Sequence, residues 1–406
     1  MFGKSASPAR VMALILAIMA CALPAQTNAQ ESESLDALER RLLEHYKLRE
    51  GDVAMRDMPA WAPLKKIVVR DIYGPGSLGT TAARLEWISQ VAPGVEFVAV
   101  DSLQDAIDKG LLLQAQAVIG IGCSPELIFA FGPEVQWTQS SSSGVEGCFF
   151  SKGEDSARAH KIMLDRNIVL TNQRGVNSIA LAEHALSLIL ALVQGVDIHI
   201  RRQDQHIWGR TFTDVVKDKN IDWELDGRTL LIAGLGTVGT EIARRANALG
   251  MRIIATRSSS RSGPDFVEYV GLAHELNELA AQADVVVGQL PLTAETFGVF
   301  DAEFFEAMKP TAYFINMGRG QHMVTDDLVA ALRDGKIAGA ALEALEPEPL
   351  PDDHPLWDMP RVIITPHVSD YSDKHEDTVW YLYRENLRRY IAGDKLLNVI
   401  DMEKGY

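Results

Sequence analysis

Residues 230–239 of the chain read LLIAGLGTVG, an apolar run followed by three glycines in the spacing G-x-G-x-x-G. The apolar run predicts a buried β-strand. Gly234 then permits a tight turn, Gly236 lets a pyrophosphate approach the backbone, and Gly239 lets the next helix pack closely. The pyrophosphate would lie at the helix N-terminus, where free N–H groups and the helix dipole favour negative charge. The stretch predicts a dinucleotide-binding site, the alternative being an ordinary glycine-rich turn.

The residues that follow complete a βαβ unit and bear on which dinucleotide it binds. An alanine-rich helix over residues 240–249 ends at Gly250, and residues 251–256 predict a second strand. A carboxylate at the end of that strand would bind a ribose 2′-hydroxyl, but this chain has Arg257 there. The side chains that could bind a 2′-phosphate continue through Ser258, Ser259, Ser260 and Arg261. We therefore expect NADP rather than NAD, the alternative being a solvated basic loop.

Size and charge limit the classes of protein to consider. The 406 residues, 47% of them hydrophobic, are enough for two domains with separate cores. A formal net charge of −16 disfavours binding to nucleic acid or to an anionic membrane surface. Strand and helix patterns alternate without tandem repeats, which predicts an α/β fold with parallel, doubly wound sheets.

The first 29 residues have the three-part form of a secretory signal peptide. Lys4 and Arg10 precede an apolar run over residues 11–23, and small residues ending at Ala29 offer a cleavage site. The run is short for a bilayer span, so we expect an exported, periplasmic protein with no stable membrane span in the mature chain. The alternative is a misassigned start codon and a cytoplasmic protein, because nicotinamide cofactors are scarce outside the inner membrane.

Two cysteines, Cys123 and Cys148, lie beyond this leader. They could pair in an oxidising compartment, or they could be small buried residues. The sequence leaves both interpretations open.

The segment between the leader and the first strand predicts a helix and a linker. Residues 31–49 place Leu35, Leu38, Leu42 and Tyr46 at helical spacing, with charged residues on the other face. We expect this helix to be a surface arm or an oligomer contact. Residues 52–63 contain two prolines and predict the linker.

Periodicity places the remaining elements. Strands are predicted at residues 66–70, 95–100, 117–121, 135–138, 284–290, 312–317, 338–342 and 362–365. Helices are predicted at residues 85–91, 177–192, 201–208, 328–333 and 378–391. The serine-glycine run over residues 140–146 has the composition of a flexible linker, but it could also be a loop whose N–H groups bind an anion. Composition alone favours the linker.

Three side chains stand just after predicted strands, where the working residues of such sheets lie: Arg319, Glu348 and His367. A guanidinium binds a carboxylate and polarises a carbonyl, an imidazole exchanges protons near neutral pH, and an adjacent carboxylate favours the imidazolium. Hydride transfer to a 2-oxo acid needs these three groups. Each residue also has a structural explanation, as a solvent-facing arginine, a loop glutamate or a strand-capping histidine. Their joint placement favours catalysis.

From about residue 135 onward the chain resembles the D-isomer-specific 2-hydroxyacid dehydrogenases, the group of glyoxylate and hydroxypyruvate reductases and phosphoglycerate dehydrogenases. The matching segments are, in order, residues 142–146 (SSGVE), 177–184, 234–239, 291–296 (PLTAET), 316–320 (NMGRG), 340–343 (AALE), 348–349 and 365–367 (TPH). So many matches in order are not expected by chance.

The resemblance implies an oxidoreductase that transfers a hydride between a nicotinamide cofactor, NADP(H) by the argument from Arg257, and a small 2-oxo acid or D-2-hydroxy acid. It implies that Arg319 binds the substrate, that His367 is the acid/base, and that Glu348 is the carboxylate paired with it. The loop whose amides hold the substrate carboxylate in the family corresponds here to Ser143, Gly144 and Val145. This interpretation replaces the flexible linker.

Further expectations concern the cofactor and the domains. The expected cofactor contacts, combining the motif with the resemblance, are Gly234, Gly236, Thr237, Val238, Gly239, Arg257, Ser258, Ser259, Pro291, Thr296, Met317 and Glu343. We assign no metal ligands. The resemblance implies a cofactor domain inserted in the catalytic domain, and a homodimer. The expected division is a signal peptide at 1–29, a helical arm and linker at 30–63, a catalytic domain at 64–176 and 368–406, and a dinucleotide-binding domain at 177–367.

Two positions depart from the family pattern. At position 343 the family usually has an aspartate that meets the nicotinamide carboxamide, and aspartate is also common at position 146. This chain has glutamate at both positions, one methylene longer than aspartate. One alternative function is a non-catalytic NAD(P)-binding sensor or interaction protein of the same fold, against which the intact Arg319, Glu348 and His367 argue. Another is a formate dehydrogenase of the same architecture, but that branch carries glutamine where Glu348 stands.

Overall fold

Two parallel sheets organise the chain. The computed structural model describes residues 35–59, 61–71, 79–150, 152–208 and 223–406, so the expected signal peptide lies outside the described residues. The first sheet has the strand order β2-β1-β3-β4-β5. Its strands are β1 (Lys66–Arg70), β2 (Glu96–Val100), β3 (Ala117–Ile119), β4 (Trp137–Gln139) and β5 (Val169–Thr171). We call this sheet and the helices packed on it the first domain.

The second sheet contains the glycine-rich stretch at its centre. Its strand order is β12-β11-β10-β9-β6-β7-β8, and every paired strand is parallel to its neighbour. The strands are β6 (Thr229–Ala233), β7 (Arg252–Arg257), β8 (Val267–Leu272), β9 (Val285–Gly288), β10 (Tyr313–Asn316), β11 (Gly339–Leu342) and β12 (Val362–Ile364). This sheet and its helices form the second domain.

Helices connect the strands of both sheets. The α-helices are α1 (Leu35–Arg40), α2 (Thr81–Ser89), α3 (Leu103–Asp108), α4 (Pro125–Phe129), α5 (Glu154–Asp165), α6 (Ser178–Val193), α7 (Val196–Asp204), α8 (Thr237–Ala248), α9 (Leu276–Ala280), α10 (Ala302–Ala307), α11 (Thr325–Arg333) and α12 (His375–Ala392). A π-helical turn, Arg41–His45, extends α1. Short 3₁₀ turns lie at Met55–Asp57, Leu111–Leu113, Glu146–Cys148, Ala273–Glu275, Gly320–His322 and Pro355–Trp357.

Both faces of each sheet are buried, as expected for doubly wound folds. In β1, Ile67 packs into a core that contains Trp380 of α12, whereas Val68 packs on the opposite face with Ile128 and Met163. Alternation along a strand produces this division, because successive side chains point to opposite faces of the sheet. The central strand β6 is buried along its whole length. The expected α/β class with two parallel sheets is confirmed.

The N-terminal helix is not a surface arm. Leu38, Leu42 and Tyr46 are at most 8% exposed and lie in the core of the first domain beside Trp380 and Tyr383 of α12. The apolar spacing was correct, and the face it forms packs on α12. Contact of this helix with another chain stays a prediction. Burying a leucine side chain contributes about 2 kcal/mol, so this segment belongs to the first domain energetically.

The expected linker at residues 52–63 also packs against the C-terminal part of the chain. Met55 is 3% exposed, and Arg56 Nε donates to the carbonyl of Gly393 over 2.9 Å. Trp61 Nε1 donates to the carbonyl of Tyr390 over 3.2 Å. These contacts hold the segment on the end of α12.

Elements with weak apolar signals were not predicted. The buried face of α5 contains Ser156, Ala159 and Met163, of which only Met163 is a large apolar residue. Strand β8 is an edge strand with exposed residues at two of its first three positions. Helix α8 begins at Thr237, three residues before the expected start, so that Gly239 lies in its first turn.

No single helix in the described ranges is both long and apolar enough to cross a bilayer. Helices α6 and α7 reach that length and composition only when taken together, and a bend of 71° separates them.

Candidate active site

Asn316, the last residue of β10, shapes the loop that carries Arg319. Its Nδ2 donates to the carbonyls of Arg319 and Ala344 over 3.0 and 2.9 Å, and its Oδ1 accepts from the backbone N–H of Gly318 over 3.2 Å. The amide is fully buried. Because all three bonds go to backbone groups, this one side chain determines the path of the loop after β10.

Arg319 of the second domain contacts Glu146 of the first domain. Its Nε donates to Glu146 Oε1 over 2.8 Å, and its Nη1 donates to the carbonyl of Gly318 over 3.0 Å. Burial would raise the pKa of Glu146, but the charge and the hydrogen bond of Arg319 lower it below the usual value. The pair is therefore ionic at neutral pH. We call this meeting point of the two domains the domain junction.

The substrate loop expected at residues 143–145 lies directly on this arginine. A Cβ added at Gly144 would be 2.1 Å from Arg319 Nη2 and 2.4 Å from Glu146 Oε2, so a larger residue would displace these two side chains from their present contact. Asn172 Nδ2 donates to the carbonyl of Ser143 over 2.6 Å, and Val145 is 3% exposed. The loop is thus packed and hydrogen-bonded, which contradicts the flexible-linker interpretation.

A disulfide fixes the far end of the same loop. Cys148, two residues after Glu146, is bonded to Cys123, which follows β3, with Cα atoms 5.5 Å apart. Pairing was one of the two interpretations that the sequence left open. The bond joins two loops at the carboxyl edge of the first sheet.

His367 and Glu348 are in direct contact within the second domain. His367 Nδ1 lies 3.0 Å from Glu348 Oε1, and both side chains are about two-fifths exposed, at 41% and 42%. The backbone of His367 has φ of 53°, a left-handed conformation that is uncommon outside glycine. Its N–H donates to the carbonyl of Glu343 over 3.1 Å. The structure therefore joins the imidazole to the carboxylate expected beside it.

Glu343 binds the backbone and side chains around His367. Its Oε1 accepts from the N–H of Ser369 over 2.6 Å, and its Oε2 accepts from the Thr365 hydroxyl and lies 3.2 Å from His184 Nε2. Burial would raise the pKa of Glu343, but these hydrogen bonds lower it to about 2. The carboxylate thus holds the loop on both sides of His367.

A buried histidine, His322, is hydrogen-bonded to the backbone of Arg319. His322 is 0% exposed, and its Nδ1 accepts a hydrogen bond from the backbone N–H of Arg319 over 3.0 Å. Burial lowers the pKa of His322 to about 4. The ring is therefore neutral at physiological pH and adds no positive charge beside the guanidinium.

The glycines after β6 have the distinct environments that a dinucleotide site requires. Gly234 has φ of 103°, and a Cβ there would be 2.3 Å from the carbonyl of Gln289. A Cβ at Gly239 would be 2.3 Å from the carbonyl of Gly234, which confirms the close approach of α8 to the turn. A Cβ at Gly236 would have nothing within 4 Å. Of the three glycines of the motif, Gly236 is the one that faces open space.

The N-terminus of α8 fits a phosphate at that open face. Gly236 is the N-cap residue, and no side chain caps the helix. The N–H groups at Thr237 and Val238 lie in the first turn, where α-helical N–H groups have no partner within the helix. The residues present therefore suit the diphosphate of a dinucleotide.

The loop after β7 is polar, and part of its positive charge is paired with a carboxylate. Arg257 Nε donates to the carbonyl of Leu235 over 3.0 Å, which holds the guanidinium beside the glycine turn. Ser258 and Ser259 are exposed. Arg261 is paired with Glu275 over 2.7 Å, so one of the two arginines expected to attract a 2′-phosphate already has a carboxylate partner.

The remaining expected cofactor contacts lie on loops after β9 and β10. Thr296 Oγ1 donates to the carbonyl of Pro291 over 2.7 Å, which closes the loop that contains both residues. Met317 is 3% exposed, and its N–H donates to the carbonyl of Gly288 over 2.9 Å. Both segments therefore follow adjacent strands of the second sheet.

Comparison with known proteins relates this geometry to a family. Residues 186–369 match the family model described as D-isomer specific 2-hydroxyacid dehydrogenase, NAD binding domain. The chain is 32% identical over 239 residues to the glyoxylate reductase of Korarchaeum cryptofilum, covering 59% of this chain and 70% of the relative. It is 30% identical over 250 residues to glyoxylate/hydroxypyruvate reductase A of Citrobacter koseri, covering 61% of this chain and 76% of the relative.

This chain belongs to the D-isomer-specific 2-hydroxyacid dehydrogenase family. A crystal structure of a D-isomer specific 2-hydroxyacid dehydrogenase family protein from Aeromonas salmonicida is similar to it, with a TM-score of 0.66 and 29% identity. That similarity covers 83% of this chain and 99% of the other. The chain is therefore an oxidoreductase with an NAD(P)-binding domain, acting on a small hydroxy or oxo acid.

Two glutamates of this 2-hydroxyacid dehydrogenase make contacts that the family pattern did not lead us to expect. Both carboxylate oxygens of Glu343 have partners within the protein, so contact with the nicotinamide carboxamide stays a prediction. Glu146, expected only to be a longer aspartate, is the residue that pairs with Arg319 across the domain junction.

Sequence reasoning also missed the structural roles of two histidines in this dehydrogenase. His184 lies on α6, inside a segment that carried the family resemblance, but its contact with Glu343 joins residues 159 positions apart. His322 lies three residues after Arg319, a spacing that puts a ring nitrogen within reach of the arginine N–H in a tight turn. That local spacing is a signal that could have found it.

Proposed function

We propose that this 2-hydroxyacid dehydrogenase reduces a small 2-oxo acid, such as glyoxylate or hydroxypyruvate, to the D-2-hydroxy acid with NADPH. The observation that carries the proposal is the domain junction, where Arg319 lies against Gly144 and is held by Glu146. A guanidinium beside a glycine backbone suits a small planar carboxylate, because both offer hydrogen-bond donors and neither adds bulk. The glyoxylate and hydroxypyruvate reductases among the relatives support this substrate class.

The proposed roles follow from the contacts. Arg319 binds the substrate carboxylate and polarises the carbonyl, while Glu146 keeps the guanidinium in position through Nε. His367 donates a proton from Nε2 to the carbonyl oxygen, because its Nδ1 is bonded to Glu348. Glu348 stabilises the imidazolium that holds this proton.

The cofactor would be held by the second domain. When bound, it supplies the hydride that the carbonyl carbon accepts. Gly236, Thr237 and Val238 would hold its diphosphate, and the loop after β7 would hold the adenosine ribose. We favour NADP over NAD because Arg257 and the exposed Ser258 and Ser259 replace the carboxylate that would bind a free 2′-hydroxyl.

We also propose that the mature enzyme is exported and acts as a homodimer. The Cys123–Cys148 disulfide supports export, since such bonds persist in oxidising compartments. The division into an inserted dinucleotide-binding domain at 177–367 and a catalytic domain at 64–176 and 368–406 is supported by the two sheets and by the return of α12 to the first core. Light scattering on the purified protein tests the dimer, and fractionation of the native host tests export.

Turnover with the two cofactors side by side tests the proposed function. The mature protein is assayed for oxidation of NADPH and NADH with glyoxylate, hydroxypyruvate and phenylpyruvate. We expect steady turnover and a higher kcat/KM with NADPH. Binding of NADPH without turnover on any 2-oxo acid would favour the sensor alternative, and a clear NADH preference would refute the argument from Arg257. The Arg257→Ser variant should lose selectivity for NADPH and retain NADH turnover.

A further inference from the structure

The C-terminal tail, residues 399–406, begins on the first domain. Val399 forms a β-bridge with Thr171, and the N–H of Ile400 donates to the carbonyl of Leu170 over 2.9 Å. Ile400 is 4% exposed and packs with Val145 of the substrate loop. The tail therefore starts beside the residues expected to bind the substrate.

The last six residues form a compact turn. The N–H of Gly405 donates to the carbonyl of Asp401 over 2.8 Å, and Lys404 Nζ lies 2.6 Å from Asp401 Oδ2. Gly405 has φ of 75°, and a Cβ there would be 3.3 Å from the ring of Phe149. Since the turn is closed by these bonds and rests on Phe149, it gives the final residue, Tyr406, a defined direction.

Tyr406 reaches from the first domain to the second. Its hydroxyl lies 3.5 Å from Oγ of Ser258, the first residue after β7. Ser258 belongs to the loop proposed above to hold the adenosine ribose. The tail therefore links the substrate loop and the cofactor loop without using any residue of the glycine motif.

The same region has positive charge without a carboxylate partner. Among the described residues, no hydrogen bond or ion pair engages the guanidinium of Arg174. Burial and the charge of nearby Arg49 lower the pKa of Arg174, and Tyr406 opposes that shift. The neighbouring Gly175 faces the first turn of α8, because a Cβ there would be 3.6 Å from Thr237 Cγ2.

We propose that Tyr406 is a cofactor-binding residue supplied by the first domain, its hydroxyl donating a hydrogen bond to the ribose 2′-phosphate beside Ser258. The inference rests on the proposed use of NADPH and adds a determinant of phosphate selectivity outside the second domain. A phenol hydroxyl next to a serine hydroxyl offers two hydrogen-bond donors to one phosphate. Hydrogen bonds to a charged acceptor such as phosphate are stronger than those to a neutral one. A dinucleotide without the 2′-phosphate would gain nothing from this hydroxyl.

Calorimetric titration of the mature protein with NADPH and with NADH, in the absence of substrate, tests the proposal. For Tyr406→Phe, which removes only the hydroxyl, we expect the Kd of NADPH to rise about fivefold and that of NADH to change less than about twofold. Removal of residues 404–406 should raise the Kd of NADPH about tenfold or more. Glu403→Gln, in the same tail, is the matched control and should bind both cofactors like the unaltered protein.

The outcomes separate this inference from the proposed function. Unchanged NADPH binding in both Tyr406→Phe and the truncated chain, or equal weakening of NADPH and NADH, overturns the role of Tyr406 even if NADPH-linked turnover is observed. Selective weakening of NADPH supports that role even if no 2-oxo acid is reduced, in which case only the proposed function fails. Thermal unfolding of each variant confirms that the tail change has not altered the fold.

Discussion

The two sides of the domain junction contribute different chemistry. On the second-domain side, Arg319 and His367 stand on loops that follow β10 and β12, and each has a carboxylate partner. On the first-domain side, the substrate loop offers the bare backbone of Gly144 and the carboxylate of Glu146. Arg319 and the proton-transfer residue His367 thus come from one domain, whereas the other supplies backbone N–H groups and the carboxylate that positions Arg319.

This difference predicts different kinetic consequences for the two sides. Changes on the second-domain side should act on the chemical step, because its side chains reach the reacting atoms. Changes on the first-domain side should act on substrate binding and on the stability of the loop. Substitutions at His367 and Glu146 distinguish these two kinetic effects, and changes at the disulfide and at His322 compare the stability of the two sides.

His367→Gln on the second-domain side should have the largest effect. Loss of the proton donor is expected to lower kcat by about 10² to 10⁴, with little change in the KM of the 2-oxo acid. Steady-state kinetics with NADPH measure both constants. His274→Gln, at an exposed histidine, is the control and should behave like the unaltered enzyme. If His367→Gln kept its kcat and lost only affinity, the division between the two sides would be wrong.

Removal of the disulfide should be the largest effect from the first-domain side. The bond closes a loop of 25 residues, so the Cys123→Ser/Cys148→Ser variant should be less stable by about 3 kcal/mol. Urea unfolding with and without a thiol reductant measures this difference. Reductant should destabilise the unaltered protein and leave the double variant unchanged. Equal sensitivity of both proteins to reductant would argue against the bond.

His322 makes stability on the second-domain side depend on pH. Burial lowers its pKa from 6.5 to about 4, so between these values the unfolded chain takes up a proton that the folded chain does not. The proton uptake leaves the free energy of unfolding unchanged above pH 6.5 and lowers it increasingly as pH falls toward 4. The cost approaches about 3 kcal/mol at the acid end, and His322→Asn should escape it.

Urea unfolding of the unaltered protein and of His322→Asn across that interval measures the effect. The stabilities of the two proteins should converge as pH falls, because only the histidine form loses stability by this route. A constant difference across the interval would show that His322 does not titrate as its burial implies. His274→Asn serves as the exposed control.

Glu146 should give the smallest effect. Glu146→Gln removes the charge that holds Arg319 and should raise the KM of the 2-oxo acid about tenfold while kcat changes less. Glu146→Asp, which restores the residue usual in the family, should raise KM about threefold because the carboxylate is one methylene shorter. Glu126→Gln, an exposed glutamate of the same domain, is the control. A large loss of kcat in Glu146→Gln would assign this residue to the chemical step.

What could be predicted from the sequence depended on how local the signal was. Strand β6, the turn at Gly234 and the helix behind Gly239 lie within a few residues of one another, and their pattern was sufficient. Arg319 and His367 could be named because strand ends are where parallel sheets place their working residues. The clearest successes were thus those in which a short segment determines its own geometry.

The rest depended on contacts between distant segments. The pairing of Glu146 with Arg319 spans 173 positions, and that of His184 with Glu343 spans 159. Nothing near either residue in the chain marks its partner. The N-terminal helix was misassigned for the same reason, because periodicity shows that a face is apolar but does not identify what covers it.

The packing of α1 against α12 also determines the order in which this polypeptide can be assembled. Glu50 pairs with Leu397 in a β-bridge, and Leu38 and Trp380 belong to one core. The N-terminal segment therefore cannot reach its final packing until α12 and Leu397 are present. The first domain can therefore be completed only after α12 and Leu397 have left the ribosome. The second domain, whose sheet closes with Ile364, is complete before that point. An N-terminal fragment of any length short of α12 would leave a large apolar face without its cover.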